Sequence, residues 1–305
     1  GDYKVHAFTG PGTFCVSSVG NPSGSNTVET LIVAGGGGAS FDRAGGGGAG
    51  GVVLTPTSGV SVTAQGYPIS IGGGGAGKAS PLGSGPHTAS NGVNSTGFSL
   101  TAIGGGATNR GGNAQPQPLV TGVPGGSGGG GSGGCGTVGP GGTATQPTQP
   151  GNSGTYGNGF AGGNASPAME TGGGGGASAV GVNAVASTTS GPGGAGIDVS
   201  PRFGTAPQPF YIANGPLQGV SVGGIFAGGG GGGASSPAPP TSGGNGGPGG
   251  GGHGGDSPSN PGDRDGHPGT TNTGGGGGGS SNISPSPDAG GNGGSGIVLI
   301  RYKFQ

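Results

Sequence analysis

Charged side chains are scarce in this sequence. Of 305 residues, eight are Lys or Arg and nine are Asp or Glu, which is 6% of the chain and leaves a formal net charge of -1. Average globular domains carry roughly 25% charged residues. Because the few cations are scattered singly, the chain lacks the basic surface needed to bind nucleic acid or an anionic membrane, and we expect neither partner.

Large apolar side chains are also few. Trp is absent, aromatic residues make up 5% and the whole apolar set makes up 27%, against roughly 45–50% with Gly included in average domains. This composition excludes a single conventional core of this length and disfavours an enzyme. No run approaches the roughly 18 apolar residues of a membrane-spanning helix. With no apolar leader at its start, we expect a soluble chain matured or excised from something longer.

Cysteine is nearly absent, with only Cys15 and Cys135. Two cysteines are too few for a disulfide scaffold. Cys15 lies in a predicted strand and Cys135 in a Gly-rich stretch, so two buried or partly buried thiols are favoured over a bridge between them. Cysteine usage therefore does not indicate whether the protein resides in an oxidising or a reducing compartment.

Glycine and proline fill the space instead, with 95 Gly and 27 Pro. Collagen needs Gly at every third position, and the six consecutive glycines at 228–233 and at 274–279 break that phase. Disorder is the alternative that this composition favours. Low charge and clear strand patterns at both chain ends argue for a third interpretation, in which the Gly runs are ordered.

The third interpretation is a bundle of polyglycine II helices. Such a helix has three residues per turn and makes no internal hydrogen bonds, so its peptide groups can bond sideways to neighbouring helices. Ordering Gly costs about 1–2 kcal/mol per residue, so backbones must pack closely and interior positions must exclude side chains. The glycines predicted to form this scaffold are Gly36, Gly46, Gly73, Gly105, Gly129, Gly174, Gly230 and Gly276.

Strand patterns define two regions. β-branched and aromatic stretches separated by turn signals occupy residues 3–8, 13–19, 27–33, 51–54, 60–64, 67–71 and 98–103, and another at 296–304 ends the chain. We predict that residues 1–103, which include the first Gly runs, and the C-terminal strand 297–305 form a small antiparallel β-sandwich base. Residues 104–296 are predicted to form the polyglycine II region with irregular loops. The predicted fold class is all-β with little or no α-helix.

Motifs for chemistry are weak. The string GGSGG at 125–129 lacks the strand-turn-helix context of a serine hydrolase. The stretch GGGGAGK at 72–78 resembles a phosphate-binding loop, but Ala79 stands where Ser or Thr must bind Mg²⁺. His253 and His267 share a loop with three aspartates, yet their spacing lacks the ligand positions of a calcium loop. We therefore expect no catalytic residue, no metal and no cofactor.

The two chain ends resemble a known family. The segments YKVHAFTGPGTF (3–14), VETLIVAGGGG (28–38), YPISIGG (67–73) and GGSGIVLIRY (293–302) are similar to the glycine-rich fibre domains of phages, which occur in phages of marine bacteria. Related polyglycine-sandwich adhesins stand at the tips of long tail fibres. The resemblance spans nearly the whole chain, although its middle matches by composition only.

This resemblance implies a non-enzymatic, extracellular virion protein that attaches a phage to its host. Its partners would be a host cell-surface glycan or outer-membrane protein and other fibre proteins, assembled as a homotrimer or as a single copy. The alternative is a structural spacer, or the subunit of an extracellular bacterial filament, that binds no receptor.

Exposed aromatic and Arg side chains in loops are the natural contacts for such a receptor. The candidates are Phe41 and Arg43 in one loop, Tyr156 and Phe160 in a second, and Arg202, Phe203, Phe210 and Tyr211 in a third. The competing interpretation is that each of these side chains fills a gap at the edge of the glycine bundle.

Overall fold

A computed structural model describes residues 2–20, 26–79, 87–111, 120–134, 138–146, 157–185, 189–211, 223–235, 242–257, 263–281 and 288–304. Among these residues the chain is almost entirely β, with antiparallel sheets and a single helix of four residues. This confirms the predicted all-β class. No described helix has the length and apolarity needed to cross a membrane.

The regular elements are short and cluster near the two chain ends. In chain order they are β1 (Tyr3–Phe8), β2 (Gly12–Cys15), β3 (Thr27–Val33), β4 (Val52–Leu54), β5 (Val60–Ser61), β6 (Gly66–Ile69), β7 (Ser95–Gly97), β8 (Leu100–Ala102), β9 (Gly157–Asn158), β10 (Ile197–Asp198), α1 (Ser200–Phe203), β11 (Ile225–Phe226) and β12 (Ile297–Lys303).

The main sheet has the order β1-β12-β3-β4-β9, with β5 paired to the start of β3. The C-terminal strand β12 is therefore inserted between β1 and β3, where Leu299 faces Leu31 in the antiparallel register. Its IVLI run is buried on both faces, because core residues cover both sides of this sheet. The last strand returns to the N-terminal sheet, as the sequence pattern predicts.

Each face of the main sheet carries its own apolar cluster. On one face, the antiparallel β2–β6 pair and the β7–β8 hairpin pack over a core that includes Phe14, Ile32 and Val298. On the other face, α1 and the β10–β11 pair cover Leu31, Leu299 and further residues. The base is thus a three-layer structure, and the outer layer formed by β10, α1 and β11 comes from the glycine-rich part of the chain.

Some strand limits differ from the pattern. The stretch 98–103 is not one strand, because Phe98 and Ser99 adopt positive φ angles of 55° and 59° and turn the chain between β7 and β8. On the edge strand β2, Phe14 points into the core, so its neighbour Cys15 points outward. Cys15 is exposed with a free thiol, so the expectation of burial is wrong there. Cys135 lies outside the described residues.

The glycine runs form the polyglycine II bundle, as the segment 35–39 shows. Its amides donate to three different neighbouring segments, and the same neighbour recurs after three residues. The bonds are Gly35 to Val93, Gly38 to Ser90, Gly36 to Gly294, Ala39 to Gly291 and Gly37 to Gly48, with N···O distances of 2.8–3.0 Å. A repeat of three residues is the helical repeat of the polyproline type.

The carbonyl groups of the same segment accept bonds from three more neighbours. The donors are Gly105 and Thr108, Gly75 and Lys78, and Gly277, at 2.8–3.2 Å. Residues 35–39 therefore have six lateral neighbours, which is hexagonal packing. Their backbone groups are satisfied by peptide groups of other segments, as buried backbone requires.

Side chains are excluded where these backbones meet. A Cβ atom on Gly36, Gly46, Gly105, Gly129, Gly174, Gly230 or Gly276 would stand 2.0–2.2 Å from a carbonyl oxygen of a neighbouring segment. Gly73 is the exception among the predicted scaffold glycines, because nothing lies within 4 Å of its Cβ position. It lies on the outer surface of the bundle, so it is not a packing position.

The outermost segments lack a full set of neighbours, and Asn side chains take their place. The amides of Gly104 and Ala107 donate to Oδ1 of Asn94 and Asn91, at 2.8 Å each. In the same way, the amide of Gly141 donates to Oδ1 of Asn164, the amide of Asn164 to Oδ1 of Asn183, and the amide of Gly77 to Oδ1 of Asn292. These carboxamides close the lattice at its edge.

Candidate binding surface at the distal end

The segments run alternately away from the base and back to it. Strand β3 continues directly into residues 34–39, and residues 45–51 return directly into β4. The intervening turn, residues 40–44, therefore lies at the end of the bundle opposite the base. We call this end the distal end.

The same alternation brings the other connections of the bundle to the distal end. Residues 127–133 run antiparallel to 45–51, since Ser127 bonds to Ala49 and Gly130 to Gly46. Gly133 then bonds to Arg43 in the distal turn. The described residues that flank distal connections are 78–79 and 87, 111 and 120, 134 and 138, 185 and 189, 235 and 242, 257 and 263, and 281 and 288.

Charge is confined to the two ends. The base carries Asp2, Lys4, Glu29, Asp198, Arg202, Arg301 and Lys303, and the distal end carries Asp42, Arg43, Lys78, Arg110, Glu170, Asp256, Asp263, Arg264, Asp265 and Asp288. The lattice between them holds no charged side chain, because close backbone packing leaves no room for one. The distal end carries six acidic and four basic side chains, so this surface is mildly acidic.

The distal turn 40–44 occupies the centre of this end and is enclosed. Phe41 is only 2% exposed and Arg43 only 9%. Both were receptor-contact candidates, and burial removes them from that set. The reason is positional: the turn joins the two central segments of the hexagonal bundle, so residues at the ends of outer segments, such as Arg110 and Ser280, lie around it.

Phe41 anchors the polar groups around it. The guanidinium of Arg110 lies 5.3 Å from its ring centroid, and the ring of His87 meets it edge-on at 5.7 Å. Arg110 also pairs with the carboxylate of Asp42 at 3.1 Å. Asp42 and Arg43 adopt φ angles of 60° and 57°, and the hydroxyl of Ser280 accepts the Asp42 amide. The turn is thus fixed from several sides.

One side of the distal end gathers titratable groups, and we call it the distal acidic patch: His253, Asp256, Asp263, Arg264, Asp265, His267 and Asp288. His267 Nε2 lies 2.7 Å from Asp263 Oδ2. Asp256 and Asp265 accept the amides of Gly243 and Ala289 through Oδ1. Burial, and then the charge of His267, lowers the pKa of His253. Within the described residues no group of these side chains has the arrangement of a metal site.

Asp288 is the buried member of the distal acidic patch. It is 2% exposed, and its Oδ2 atom has no hydrogen-bond partner. Burial raises its pKa to about 6, Arg264 opposes the rise, and Asp265 and Asp42 add to it. A carboxyl group in these surroundings favours its neutral form.

Two candidates of the third loop lie at the base and bind the protein itself. Arg202 contacts Glu29 Oε2 at 2.6 and 3.1 Å, and Arg301 holds the other oxygen of Glu29 at 2.8 Å. Phe203 is buried in the outer core cluster. Phe203 is therefore withdrawn as a contact candidate, and Arg202 is occupied in tying α1 to the main sheet.

The other two residues of that loop pack beside them. Phe210 and Tyr211 are half-buried against the same cluster, with Tyr211 meeting Phe226 at 6.0 Å. The Tyr211 hydroxyl donates to the carbonyl of Gly204 at 2.7 Å. Burial, with a smaller contribution from Asp198, raises the Tyr211 pKa to about 12. Both rings act as cover for the base.

The two candidates of the second loop, Tyr156 and Phe160, have to be considered separately. Tyr156 lies outside the described residues. Phe160 follows β9 and is 39% exposed on the flank of the bundle, near the base rather than the distal end. Sequence reasoning thus selected aromatic residues that mostly fill gaps. It considered the two His and three of the aspartates of the distal acidic patch only as a calcium loop, and it did not consider Asp288. The clustering of four acids and two His within residues 253–288 was the signal that pointed to that patch.

The stretch 72–78, which resembles a phosphate-binding loop, belongs to the bundle. In the stretch 72–78, the amides of Gly75 and Lys78 donate to carbonyls of the central segment, and those of Gly72 and Gly77 bind side-chain oxygens. These amides are therefore not available to a phosphate group.

Comparison with known proteins shows the family of the chain. The glycine-rich domain family model matches residues 9–303, and the chain belongs to this family. A comparison with curated proteins finds no match.

Proposed function

We propose that this chain is a non-enzymatic adhesin of a phage virion fibre, located outside the cell. In this role the glycine lattice is a rigid support, and the connections at the distal end contact the host surface. The observation that carries the proposal is the alternating course of the segments, which brings so many connections to one end of a bundle with side-chain-free packing.

Rigidity gives the arrangement its functional value. A binding surface loses affinity when its loops must be ordered on contact, and a pre-organised support removes that loss. The enclosed turn at Phe41 and Asp42, with its ring contacts and ion pair, holds the centre of the distal end in place. The connections around it can then vary in sequence without disturbing the lattice.

Charged side chains lie at both ends of the bundle. Glu29 at the base is buried between two arginines, while Asp2 and Asp198 at the base and Asp265 in the distal acidic patch are exposed. Exposed polar and charged groups set orientation and specificity more than affinity in recognition. The distal end, where the connections of the bundle gather, is the side that we assign to the host glycan or outer-membrane protein. The base is the side that we assign to other fibre proteins.

Adsorption inhibition tests the proposal. Purified protein is added at increasing concentration to the host bacteria before the phage that carries the chain, and unadsorbed phage is counted. We expect dose-dependent inhibition. No inhibition at saturating protein contradicts an adhesin and favours a spacer or a filament subunit. Periodate treatment of the cells, against protease treatment, distinguishes a glycan from a protein receptor.

Matched variants locate the contact. Asp265→Asn keeps the Oδ1 acceptor for the Ala289 amide while removing the charge, and Lys303→Ala changes an exposed charge at the base. We expect Asp265→Asn to weaken inhibition and Lys303→Ala to leave it unchanged. The reverse pattern would move the contact surface to the base.

A further inference from the structure

The edge of the main sheet ends on an unpaired strand. Strand β1 pairs with β12 on one side, and no described strand pairs with its other side. Its residues Tyr3, Lys4 and Ala7 are exposed. An open edge of this kind is a template for a further strand unless it is blocked.

The alternation of hydrogen bonds along β1 shows which of its peptide groups face the unpaired edge. The Phe304 amide donates to the Asp2 carbonyl, so residues 2 and 304 form a hydrogen-bonded pair. Such pairs alternate along an antiparallel ladder, so Lys4 and His6 also bond to β12. The peptide groups of Tyr3, Val5 and Ala7 therefore point away from the sheet, and no hydrogen bond from another described residue engages them.

The hydrogen bonds that β3 makes to β4 and β12 lead to the same assignment. Thr55 donates to the Thr30 carbonyl and Ala34 donates to Gly51, so residues 30, 32 and 34 bond toward β4. Residues 29, 31 and 33 then bond to 301, 299 and 297 of β12. This leaves residues 298, 300 and 302 of β12 to bond with β1, as the first argument requires.

We propose that this edge binds a second copy of the chain through antiparallel pairing of the two β1 strands about a two-fold axis at Val5. The three open residues are symmetric about Val5, so Tyr3 faces Ala7 of the partner subunit and Val5 faces Val5 of the partner subunit. Each of these pairs exchanges two hydrogen bonds. The large Tyr3 ring then lies opposite a small side chain, and two β-branched residues meet at the axis.

An aromatic cleft beside β1 fits the side chains of that copy. A cleft of about 650 Å³ lies between β1 and the second edge strand β2. The rings of His6, Phe14 and Tyr302 line it with centroids 5.4–5.9 Å apart. In the proposed register Lys4 of the partner subunit faces His6, at the mouth of this cleft. A cation beside aromatic faces is a favourable pairing.

A second copy fits the open edge better than an unrelated strand because the edge complements itself in both shape and length. Its exposed cation, Lys4, lies 3.4 Å from the ring centroid of Phe304, on the β12 side of the strand, so it does not stand across the open edge as a blocking charge would. An isologous contact of this kind closes on itself and forms a dimer, not a filament.

Proline substitution tests the proposal. Val5→Pro removes an amide that the monomer does not use, which is the position where an edge strand tolerates proline. Val5→Thr is the matched control, because it keeps the amide and the β-branch. Sedimentation equilibrium of the full chain over a wide concentration range is the measurement, with thermal melting to verify the fold of each variant.

We expect wild type and Val5→Thr to dimerise with concentration and Val5→Pro to remain a monomer with an intact melting transition. Hydrogen exchange should also slow at the amides of Tyr3, Val5 and Ala7 as concentration rises, whether or not the proline variant folds. A wild-type chain that stays monomeric, or a dimer that Val5→Pro does not weaken, overturns the proposal. Because neither readout uses host cells, its failure is separate from failure of the adhesin assignment.

Discussion

Gly47 and Gly276 touch through their backbones: a Cβ atom on Gly276 would stand 2.0 Å from the carbonyl oxygen of Gly47. That carbonyl accepts the amide of Gly230 at 2.9 Å. Three segments that are far apart in sequence therefore meet at one point where no side chain fits.

Gly276→Ala should destabilise the protein by about 3 kcal/mol or more, because backbone on both sides must separate to admit the methyl group. Chemical unfolding followed by circular dichroism measures the change. Gly73→Ala is the control, since its Cβ would meet nothing within 4 Å. We expect that change to be neutral or to stabilise by up to about 1 kcal/mol. Equal effects of the two substitutions would contradict close packing.

The edge carboxamides should contribute to stability one by one. Asn94→Ala removes the oxygen that accepts the Gly104 amide at 2.8 Å, and we expect a loss of about 1 kcal/mol. Asn94→Asp retains the oxygen and should stay within about 0.5 kcal/mol of wild type. If both variants melt like wild type, the side chain does not replace a lattice neighbour.

Glu29 should be the most sensitive charged residue of the base. It is buried between Arg202 and Arg301, at 2.6 and 2.8 Å. Glu29→Ala leaves two mostly buried guanidinium groups without their acceptor, and we expect a loss of about 2–4 kcal/mol. Lys303→Ala, at an exposed position of the same sheet, should change the free energy of unfolding by less than about 0.5 kcal/mol.

Asp288 predicts a pH dependence with a defined sign. Its pKa in the folded protein is about 6, above the ordinary value near 4 of an unfolded chain. The folded state therefore binds the proton more tightly, and stability from this group rises as pH falls from about 7 to about 4. Asp288→Asn should stabilise the protein at pH 7 by roughly 1–3 kcal/mol and flatten this dependence. Unfolding curves at several pH values measure both effects, and an unchanged slope would contradict the assignment.

Much of the base could be predicted from the sequence. The strands at Tyr3–Phe8 and Thr27–Val33 coincide with their patterns because stretches rich in aromatic or β-branched residues are set off there by turn signals and Gly runs. The helix at Ser200–Phe203 was not predicted, since four residues carry no periodicity. The interruption at Phe98 was missed because a positive φ at an aromatic residue leaves no mark in composition.

The candidate contact residues show where sequence reasoning stops. Phe41 and Phe160 look alike as aromatic residues in glycine-rich surroundings, yet one is enclosed and the other is exposed. The difference depends on which segments are central in the hexagonal packing, and identical glycine runs do not encode that order. The same limit applies to Arg202, whose partner Glu29 lies far away in the sequence.

Hydrogen exchange of the lattice amides tests the central claim most directly. The amides of Gly37, Gly47 and Gly230 donate to carbonyls of other segments at 2.7–2.9 Å. If the glycine segments form one packed body, these amides should exchange only through global unfolding and show protection as strong as that of the β12 core. Exchange at the rate of an unstructured peptide would contradict the packed bundle and remove the rigid support on which the proposed function depends.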